Sequence, residues 1–287
     1  KKDMITADLR HCSNLINKVK TNEHCYRPKE SDLGQSLNNV VLSVQNNLPY
    51  ELLNIGRSGT GADFQSSYTK KPTSGLVKAL VAPTGFMSDP YLAWDLGFTL
   101  KAGIYAGAYW ETAISQSDAS FYAQQFVNQF MTGQGQDWYD DGGLSNVIKN
   151  SPEGQSLIKQ ISDDFREEML SNQGDFSKIK LNDRVYSTLN FSWKSSPTLK
   201  ILVGGTQELT VTLSAIFYNA KTCKWLALIS VEIRDDFGVT ESDITNASPS
   251  AKLGIGGLTD MWVLQHQRGY KPFTTVFNFS FFCYDNH

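Results

Sequence analysis

The residues best suited to chemistry lie in the last quarter of the 287-residue chain, between two β-prone runs. Asp235 and Asp236 leave the first run, and His266 and Arg268 follow the helix predicted after it. Two adjacent acids can hold a divalent cation, or one of them can act as a general base. A histidine and an arginine facing them would suit phosphoryl chemistry, in which the protein mainly positions the substrate and neutralises charge. These four are therefore candidate catalytic residues, and the two acids are candidate ligands of a divalent cation.

Tyr270 and Lys271 extend this cluster through a Gly-Tyr-Lys-Pro turn and are candidate binding residues. The same residue types also have ordinary structural uses. Asp-Asp and Gly-Tyr-Lys-Pro are common in turns, and a lone histidine near a helix end often caps the helix or lies at the surface. Asp235 is expected in a turn after its strand, where a carboxylate is solvated or paired. The structural interpretation of the cluster therefore stays open beside the functional one.

The elements that must position these residues run β, then α, then β, which is typical of the α+β class. Residues 1–36 predict an N-terminal arm. Alternating and aromatic runs from 37 to 112 predict a β-rich module for delivery or binding, with strands at 76–81 and 96–110. Residues 115–287 are predicted to form an α+β activity domain.

Within the activity domain, two helices come first. One begins at Ser117 or Asp118, and the other is capped by Ser151 and has a proline in its first turn. A mainly antiparallel sheet then begins near Arg184, interrupted by one helix at about 250–267. Its strands are predicted from five β-prone runs, VYSTLNFSW, LKILVG, ELTVTLSAIFYN, KWLALISVEIRDD and TTVFNFSFFCY.

Composition limits the class of protein. Charged residues at 19% and hydrophobic residues at 40% are typical of an ordinary soluble chain. A net charge of -3 is no reason to expect nucleic acid, since binding of that kind usually needs a basic domain or stripe. No run of about 18 apolar residues occurs, so a conventional membrane-spanning helix is not predicted. Aromatic residues at 12% and 22 glycines favour a β-rich, exported chain, and the Lys1-Lys2 opening without an apolar leader suggests processing.

Four cysteines allow three pairings, and the spacing does not choose among them. The simplest arrangement is a local Cys12–Cys25 pair together with a strand-to-strand Cys223–Cys283 pair, which fits an oxidising compartment. The alternative is four free thiols, with the last two cysteines as small core residues.

The stretch from 91 to 110 suggests a second kind of function. It combines Tyr91, Trp94, Tyr109 and Trp110 with several glycines, and these aromatic residues are candidate binding residues. Strands of this composition can form a surface that stacks sugars, or a β-hairpin that enters a membrane. The structural alternative is a sheet core in which the glycines allow close packing.

The order V-x-I-R-D-x-F-G-V-x-x-x-D-I, then W-V-L-Q, then G-Y-K-P-F-x-T resembles an enterobacterial family of unknown function. That family carries Q-D-H-F-G-L, a D-I step, W-F-V-L-Q and G-Y-K-P-F-I-T, and the resemblance covers about 115–283. The chain departs from the pattern at Asp236, where the family has histidine. The resemblance implies a relation to effectors or toxins used between bacteria, with no agreed activity. The matching residues are Asp235, Phe237, Gly238, Asp243, Ile244, Trp262, Val263, Leu264, Gln265, Gly269, Tyr270, Lys271, Pro272, Phe273 and Thr275.

The order of strand, acidic exit, helix, Gly-Tyr turn and final strand is also similar to the activity domain of colicin M-type bacteriocins. Those proteins hydrolyse a phosphoester of the lipid-linked peptidoglycan precursor with magnesium, through D-x-Y-D and a following H-R pair. Asp235-x-Phe237 matches the first acid and an aromatic residue, whereas Gly238 stands where the second acid belongs. His266 and Arg268 would have to replace the H-R pair from beyond the next helix.

These resemblances predict a secreted or injected bacterial toxin or effector, delivered to the target-cell periplasm, that hydrolyses a phosphoester of a lipid-linked envelope precursor. Its expected cofactor is a divalent cation such as Mg²⁺. Its expected partners are the bacterial cell envelope or that precursor, and an immunity protein; nucleic acid is not expected. The alternative hypothesis is a non-enzymatic protein, either membrane-active and pore-forming or glycan-binding, that uses the 91–110 stretch and contacts a membrane.

Overall fold

The computed structural model describes residues 48–57, 71–107, 114–172, 174–219, 224–245 and 255–285, together with the backbone of 36–37 and 40–43. One seven-stranded sheet forms the centre of this part of the chain, and helices pack against it. The predicted α+β class is confirmed.

The strands are β1 (Ser36–Leu37), β2 (Val40–Ser43), β3 (Tyr50–Ile55), β4 (Trp138–Tyr139), β5 (Glu208–Asn219), β6 (Lys224–Phe237) and β7 (Phe273–Tyr284). They lie in the order β1-β2-β5-β6-β7-β4, and β3 pairs with β5 beside β2. The short β4 is parallel to β7, whereas the other pairs are antiparallel. The three long strands β5, β6 and β7 therefore carry most of the sheet.

The helices are α1 (Gly75–Thr84), α2 (Asp89–Gly107), α3 (Gln116–Met131), α4 (Gly143–Asn150), α5 (Pro152–Ser171), α6 (Pro197–Leu202), α7 (Glu241–Thr245) and α8 (Ile255–Gln267). A 3₁₀ turn covers Phe176–Lys178. The helices predicted after 117 and after Ser151 are confirmed, and the Ser151 hydroxyl accepts the Gly154 N–H at 3.0 Å. The first of them is capped by Ser115, whose hydroxyl accepts the Asp118 N–H at 3.1 Å, and not by Ser117 or Asp118.

The strands predicted at 76–81 and 96–110 are wrong, because 75–84 and 89–107 are helical and 108–110 lie outside the described residues. In α1 the buried residues Val77 and Val81 are four apart, as a helix requires. α2 carries apolar residues on all sides, so its sequence lacks the polar face that marks a typical surface helix. The described part of the predicted β-rich module at 37–112 is therefore largely helical, and its strand β3 belongs to the same sheet as β5.

Three of the five β-prone runs in the C-terminal half form β5, β6 and β7, which confirms those predictions. The other two are not strands. VYSTLNFSW contributes a single bridge between Asn190 and Gly205, and LKILVG lies mostly in α6. Pro197 explains the second error, since a proline after Ser196 favours the first turn of a helix over a sheet position.

The two sides of β6 differ sharply in chemistry. Odd-numbered side chains face the helices, as shown by Trp225, whose ring lies 5.4 Å from the Phe165 ring of α5. Even-numbered side chains face the outer side, where the Ser230 hydroxyl bonds Ser214 at 2.7 Å and Ser280 at 2.9 Å. The buried members of the helix-facing row are Trp225, Ala227, Ile229, Val231, Ile233 and Asp235.

Cys283 is a buried free thiol on β7, so the predicted Cys223–Cys283 disulfide is not formed. Its sulfur donates to the Ser162 carbonyl oxygen at 3.7 Å, and burial raises the pKa of the thiol to about 11. Little of it is thiolate at neutral pH, and it acts as a small core residue. Cys12, Cys25 and Cys223 lie outside the described residues.

The tight turn between α4 and α5 yields a stability prediction. A Cβ on Gly154 would overlap the Ile148 carbonyl oxygen and lie 3.0 Å from the Lys149 carbonyl oxygen. Gly154→Ala should therefore lower the free energy of unfolding by about 1–3 kcal/mol, as overpacking does. Gly97→Ala is the matched control, because the nearest atom to its Cβ is 3.9 Å away and alanine favours a helix by up to about 1 kcal/mol. Urea unfolding of both variants checks this, and equal stability would contradict it.

Candidate functional site

A pocket of about 730 Å³ opens between the end of β6 and the helices α2, α6 and α8. Pockets of this size accommodate small molecules, and those lined mainly by apolar side chains with a few polar groups are typical ligand sites. Its apolar lining residues include Leu96, Leu100, Ala102, Ala106, Ile201, Leu202, Leu258 and Met261. Its polar lining residues are Thr99, Lys200, Gln207, Asp235, Asp236 and Asp243.

Asp235 lies within β6, pairs in register with Thr275 and is only 6% exposed. This corrects the expectation of a solvated turn residue. Burial raises the pKa of its carboxyl well above the usual range, and the negative charge of Asp236 raises it further. The site therefore holds an acid that keeps its proton at pH values where most aspartates are ionised.

Asp236 points to the outer side of the sheet and is fastened there. Its carboxylate forms an ion pair with Arg57 and accepts the Thr274 hydroxyl at 3.2 Å. Arg57 also lies 3.0 Å from Glu208, so the arginine is shared by two acids. Burial raises the pKa of Asp236 although the Arg57 charge opposes the shift.

Adjacent residues of a strand project to opposite faces, and this separates the two acids. Asp235 faces the helices with Ile233, whereas Asp236 faces outward with Arg234. Their side chains leave β6 on opposite faces although both residues line the pocket, and the magnesium site expected from their adjacency stays a prediction. Within the described ranges, no three His, Cys, Asp or Glu residues are grouped in a way that could hold a metal ion.

His266 is fully buried away from the pocket, which corrects its assignment as a catalytic residue facing Asp235. Its Nε2 lies 2.8 Å from the Val239 carbonyl oxygen, and its ring packs 4.9 Å from the Trp262 ring. Gln265 accepts the Val239 N–H at 2.9 Å. The side chains of Gln265 and His266 thus bind the N–H and the carbonyl group of Val239, which follows the pocket-lining Gly238.

Arg268 also lies away from Asp235, so the predicted pairing of these residues is wrong. It donates to the Gly85 carbonyl oxygen at 2.9 Å, and its Nε lies 3.8 Å from an Asp89 carboxylate oxygen. Tyr270 donates its hydroxyl to the same carboxylate at 3.0 Å. Burial, followed by the Asp89 hydrogen bond, raises the pKa of Tyr270. These residues fasten the turn between α1 and α2.

The remaining predicted binding residues are dispersed. Lys271 lies beside Gly135, where a Cβ would be 2.9 Å from the lysine Cβ, and it does not line the pocket. Tyr91 and Trp94 lie on the exposed side of α2 with ring centroids 6.0 Å apart. A membrane-inserting β-hairpin is excluded for the helical residues 91–107. Tyr109 and Trp110 lie outside the described residues.

Lys200 is the site residue that sequence reasoning missed. It lines the pocket from α6, and its positive charge acts on Asp235 in the direction that lowers the pKa of that acid. Its Nζ donates to the Asn190 side-chain oxygen at 3.3 Å. The Ser196-Pro197 step was the signal that could have placed it on a helix, since it marks a helix start.

A second pair of acids joins α2 and α8. Together with α6, these two helices contribute most of the apolar pocket residues. Asp260 is buried and hydrogen-bonded to Asp95, an interaction that requires one proton between the carboxyl groups. Burial, followed by this partner, raises the pKa of Asp260 to about 8. One turn away, a Cβ on Gly257 would lie 2.8 Å from the Thr99 Cβ, so the helices are in close contact.

Chemically, the pocket combines an apolar chamber, the buried acid Asp235 with its raised pKa, the acids Asp236 and Asp243, and one lysine. An acid of raised pKa can donate a proton to a leaving group, and an ammonium can neutralise an anionic substrate. Comparison with known proteins finds no match among family models, curated proteins or solved structures. The enterobacterial and colicin M-type resemblances therefore stay predictions.

His266 is predicted to support folding. His266→Ala removes a fully buried ring and the partner of the Val239 carbonyl, so it should lower the free energy of unfolding by at least about 2 kcal/mol. Gln267→Ala, an exposed neighbour on the same helix, should change it by no more than about 0.5 kcal/mol. Thermal unfolding of the two variants tests this. A His266→Ala protein as stable as the parent would contradict the role.

The Asp95–Asp260 pair predicts a pH dependence. The pKa of Asp260 is higher in the folded chain than the usual value of about 3.9, so the proton on this carboxyl group stabilises the fold. This stabilisation is complete below about pH 3.9. The effect is lost as pH rises through about 8. Asp260→Asn supplies a permanent hydrogen-bond donor to Asp95. The free energy of unfolding of the variant should therefore rise relative to that of the parent from about pH 4 to about pH 9. Urea unfolding at several pH values measures it, and parallel profiles would contradict it.

Proposed function

We propose that the protein is a toxin-class hydrolase that cleaves a phosphoester of an amphiphilic, lipid-linked substrate in the Asp235 pocket. The observation that carries this proposal is a buried carboxyl group of raised pKa in the wall of a large, mainly apolar pocket. Perturbed acids in such pockets are more often functional than structural.

The shape and lining of the pocket support an amphiphilic substrate. A pocket of about 730 Å³ walled by leucine, isoleucine and alanine side chains removes an apolar chain from water, which is favourable in proportion to the area buried. Lys200 on α6 and Asp235 at the end of β6 are among the polar lining residues, so a chain filling the apolar part would hold its head group near them.

Asp235 is assigned the part of general acid. Water attacks the phosphorus atom, the bond from phosphorus to the leaving oxygen breaks, and the Asp235 proton moves to that oxygen. The resulting carboxylate then takes the surplus proton of the attacking water, which restores the acid. A group held protonated by burial suits this role, as in glycosidases whose acid lies in an apolar pocket.

Lys200 is assigned the charge-neutralising part that the sequence suggested for His266 and Arg268. Its ammonium lines the same pocket and acts on Asp235, whereas the other two residues bind backbone groups elsewhere. An ammonium next to a phosphate stabilises charge that grows in the transition state. This proposal derives no step from a bound metal ion.

The biological setting rests on the resemblances. Delivery into the target-cell periplasm, the cell envelope as target and an immunity protein as partner are proposed from the effector-like C-terminal pattern. The mainly apolar lining of the pocket supports the lipid-linked precursor independently, because that substrate joins a long apolar chain to a phosphoester.

Asp235→Asn is predicted to lower kcat for a polyprenyl phosphoester in detergent micelles by about a hundredfold or more, with KM nearly unchanged. Asparagine keeps the shape and neutrality of the protonated acid but cannot transfer a proton. The same substitution should abolish toxicity when the chain is expressed in the periplasm of a susceptible bacterium. Release of the phosphorylated head group is the measurement.

Glu232→Gln is the matched control, because Glu232 lies on the same strand but faces outward and pairs with Arg234 at 2.8 Å. It should retain the parent's kcat within about twofold. Full turnover by Asp235→Asn would contradict the assignment of Asp235 as general acid. Equal losses of kcat in both variants would show that the effect is structural.

A further inference from the structure

The outer side of α2 carries an exposed row of aromatic side chains. Trp94 is 62% exposed, Phe98 is 58% exposed, and Tyr91 and Tyr105 are about half exposed. The Trp94 and Phe98 rings stack with centroids 5.6 Å apart. Met87, exposed just before the helix, lies next to this row in sequence. Tyr91, Trp94, Phe98 and Tyr105 are called the aromatic face below.

Helical geometry makes these residues one surface. At 3.6 residues per turn, the four positions fall within an arc of about 60°. The opposite side of the same helix carries Leu92, Leu96 and Ile104, which are buried in the core. α2 is therefore apolar on both sides, and a soluble protein seldom leaves such a surface exposed unless it binds something.

Of the charged residues of α2, Lys101 lies next to the aromatic face. The helix carries three charged residues, Asp89, Asp95 and Lys101. Asp89 is engaged by Arg268 and Tyr270, and Asp95 shares a proton with Asp260. Lys101 lies beside the aromatic face, and its Nζ donates to Gln124 at 2.8 Å. The positive charge next to the aromatic face thus has no carboxylate partner within α2.

The aromatic face borders the mouth of the Asp235 pocket. Phe98 is both 58% exposed and part of the pocket lining, and Trp193, 45% exposed, lines the pocket ahead of α6. A protein partner seated on this face would lie across the mouth. A lipid surface would instead present apolar chains to it.

We propose that the aromatic face lies in the surface of a lipid bilayer, with α2 parallel to it, and that the pocket takes the apolar chain of its substrate directly from that surface. Tryptophan and tyrosine are favoured at this depth because their rings are apolar and their tips are polar. No described helix has the length and apolarity to cross a bilayer, which agrees with a helix that lies on it. The uptake of the substrate chain from the bilayer rests on the proposed function, whereas the contact between the aromatic face and the bilayer does not.

The experiment is cosedimentation of the full chain with vesicles of phosphatidylcholine, alone and mixed with phosphatidylglycerol. The parent should bind both kinds of vesicle, because the exposed aromatic rings leave water at either surface. The Tyr91→Ser, Trp94→Ser double variant should bind them about tenfold or more weakly, since two large apolar rings no longer leave water. Neither residue lines the pocket, so the substrate chamber stays intact.

Tyr139→Ser is the matched control, because Tyr139 is also 62% exposed but lies on β4. It should bind vesicles as the parent does. A parent that does not bind, or a double variant that binds equally, would overturn the inference. A double variant that binds vesicles normally but has lost self-association would instead identify the face as an interface between copies of the chain.

Asp235→Asn separates this inference from the proposed function. It should bind vesicles as tightly as the parent while losing turnover. If it binds and still hydrolyses substrate fully, the membrane surface stands and the proposed catalysis falls. If it loses turnover while the parent fails to bind vesicles, the catalysis stands and the membrane surface falls.

Discussion

The pairing of β6 with both β5 and β7 keeps its side chains alternating between the two sides of the sheet up to Phe237. The shift in pairing with β5 at Leu213/Ala215 lies well before the acids, and the β7 register is continuous through them. Asp235 is consequently held on the helix-facing side and Asp236 on the outer side. A slip of one residue would exchange the two, placing the Arg57-bound acid on the helix-facing side and Asp235 on the outer side.

The pocket depends on how closely the helices approach each other over that strand. A Cβ on Gly103 of α2 would lie 3.3 Å from the Ile201 side chain of α6, and Gly257 of α8 meets Thr99 of α2 even more closely. These contacts hold α2 close to α6 and α8, which form walls of the chamber beside Asp235. Because α2 builds one wall of the chamber and also carries the aromatic face, substrate binding and surface binding would be coupled through one rigid helix.

Several residues that look catalytic in the sequence are used to fasten chain segments. His266 and Gln265 hold Val239, Arg268 holds the carbonyl groups before α2, and Asp236 holds Arg57. Buried backbone groups outside helices and strands need hydrogen-bond partners, and side chains near element ends are placed to supply them. Proximity to an element end is therefore weak evidence for chemistry, whereas burial of a carboxyl group in a pocket wall is stronger evidence.

The sequence by itself determined the α+β class, the helices α3 and α5 with their start signals, and the three long strands. These features depend on local patterns, namely caps, helical spacing and alternation. It did not determine that α1 and α2 are helices, because α2 is apolar on both sides and has no polar face to reveal its period. It also did not predict that Lys200 lines the pocket or that His266 lies away from Asp235. Which side chains converge depends on contacts between residues far apart in the chain, and only the packing of helices on the sheet decides those contacts.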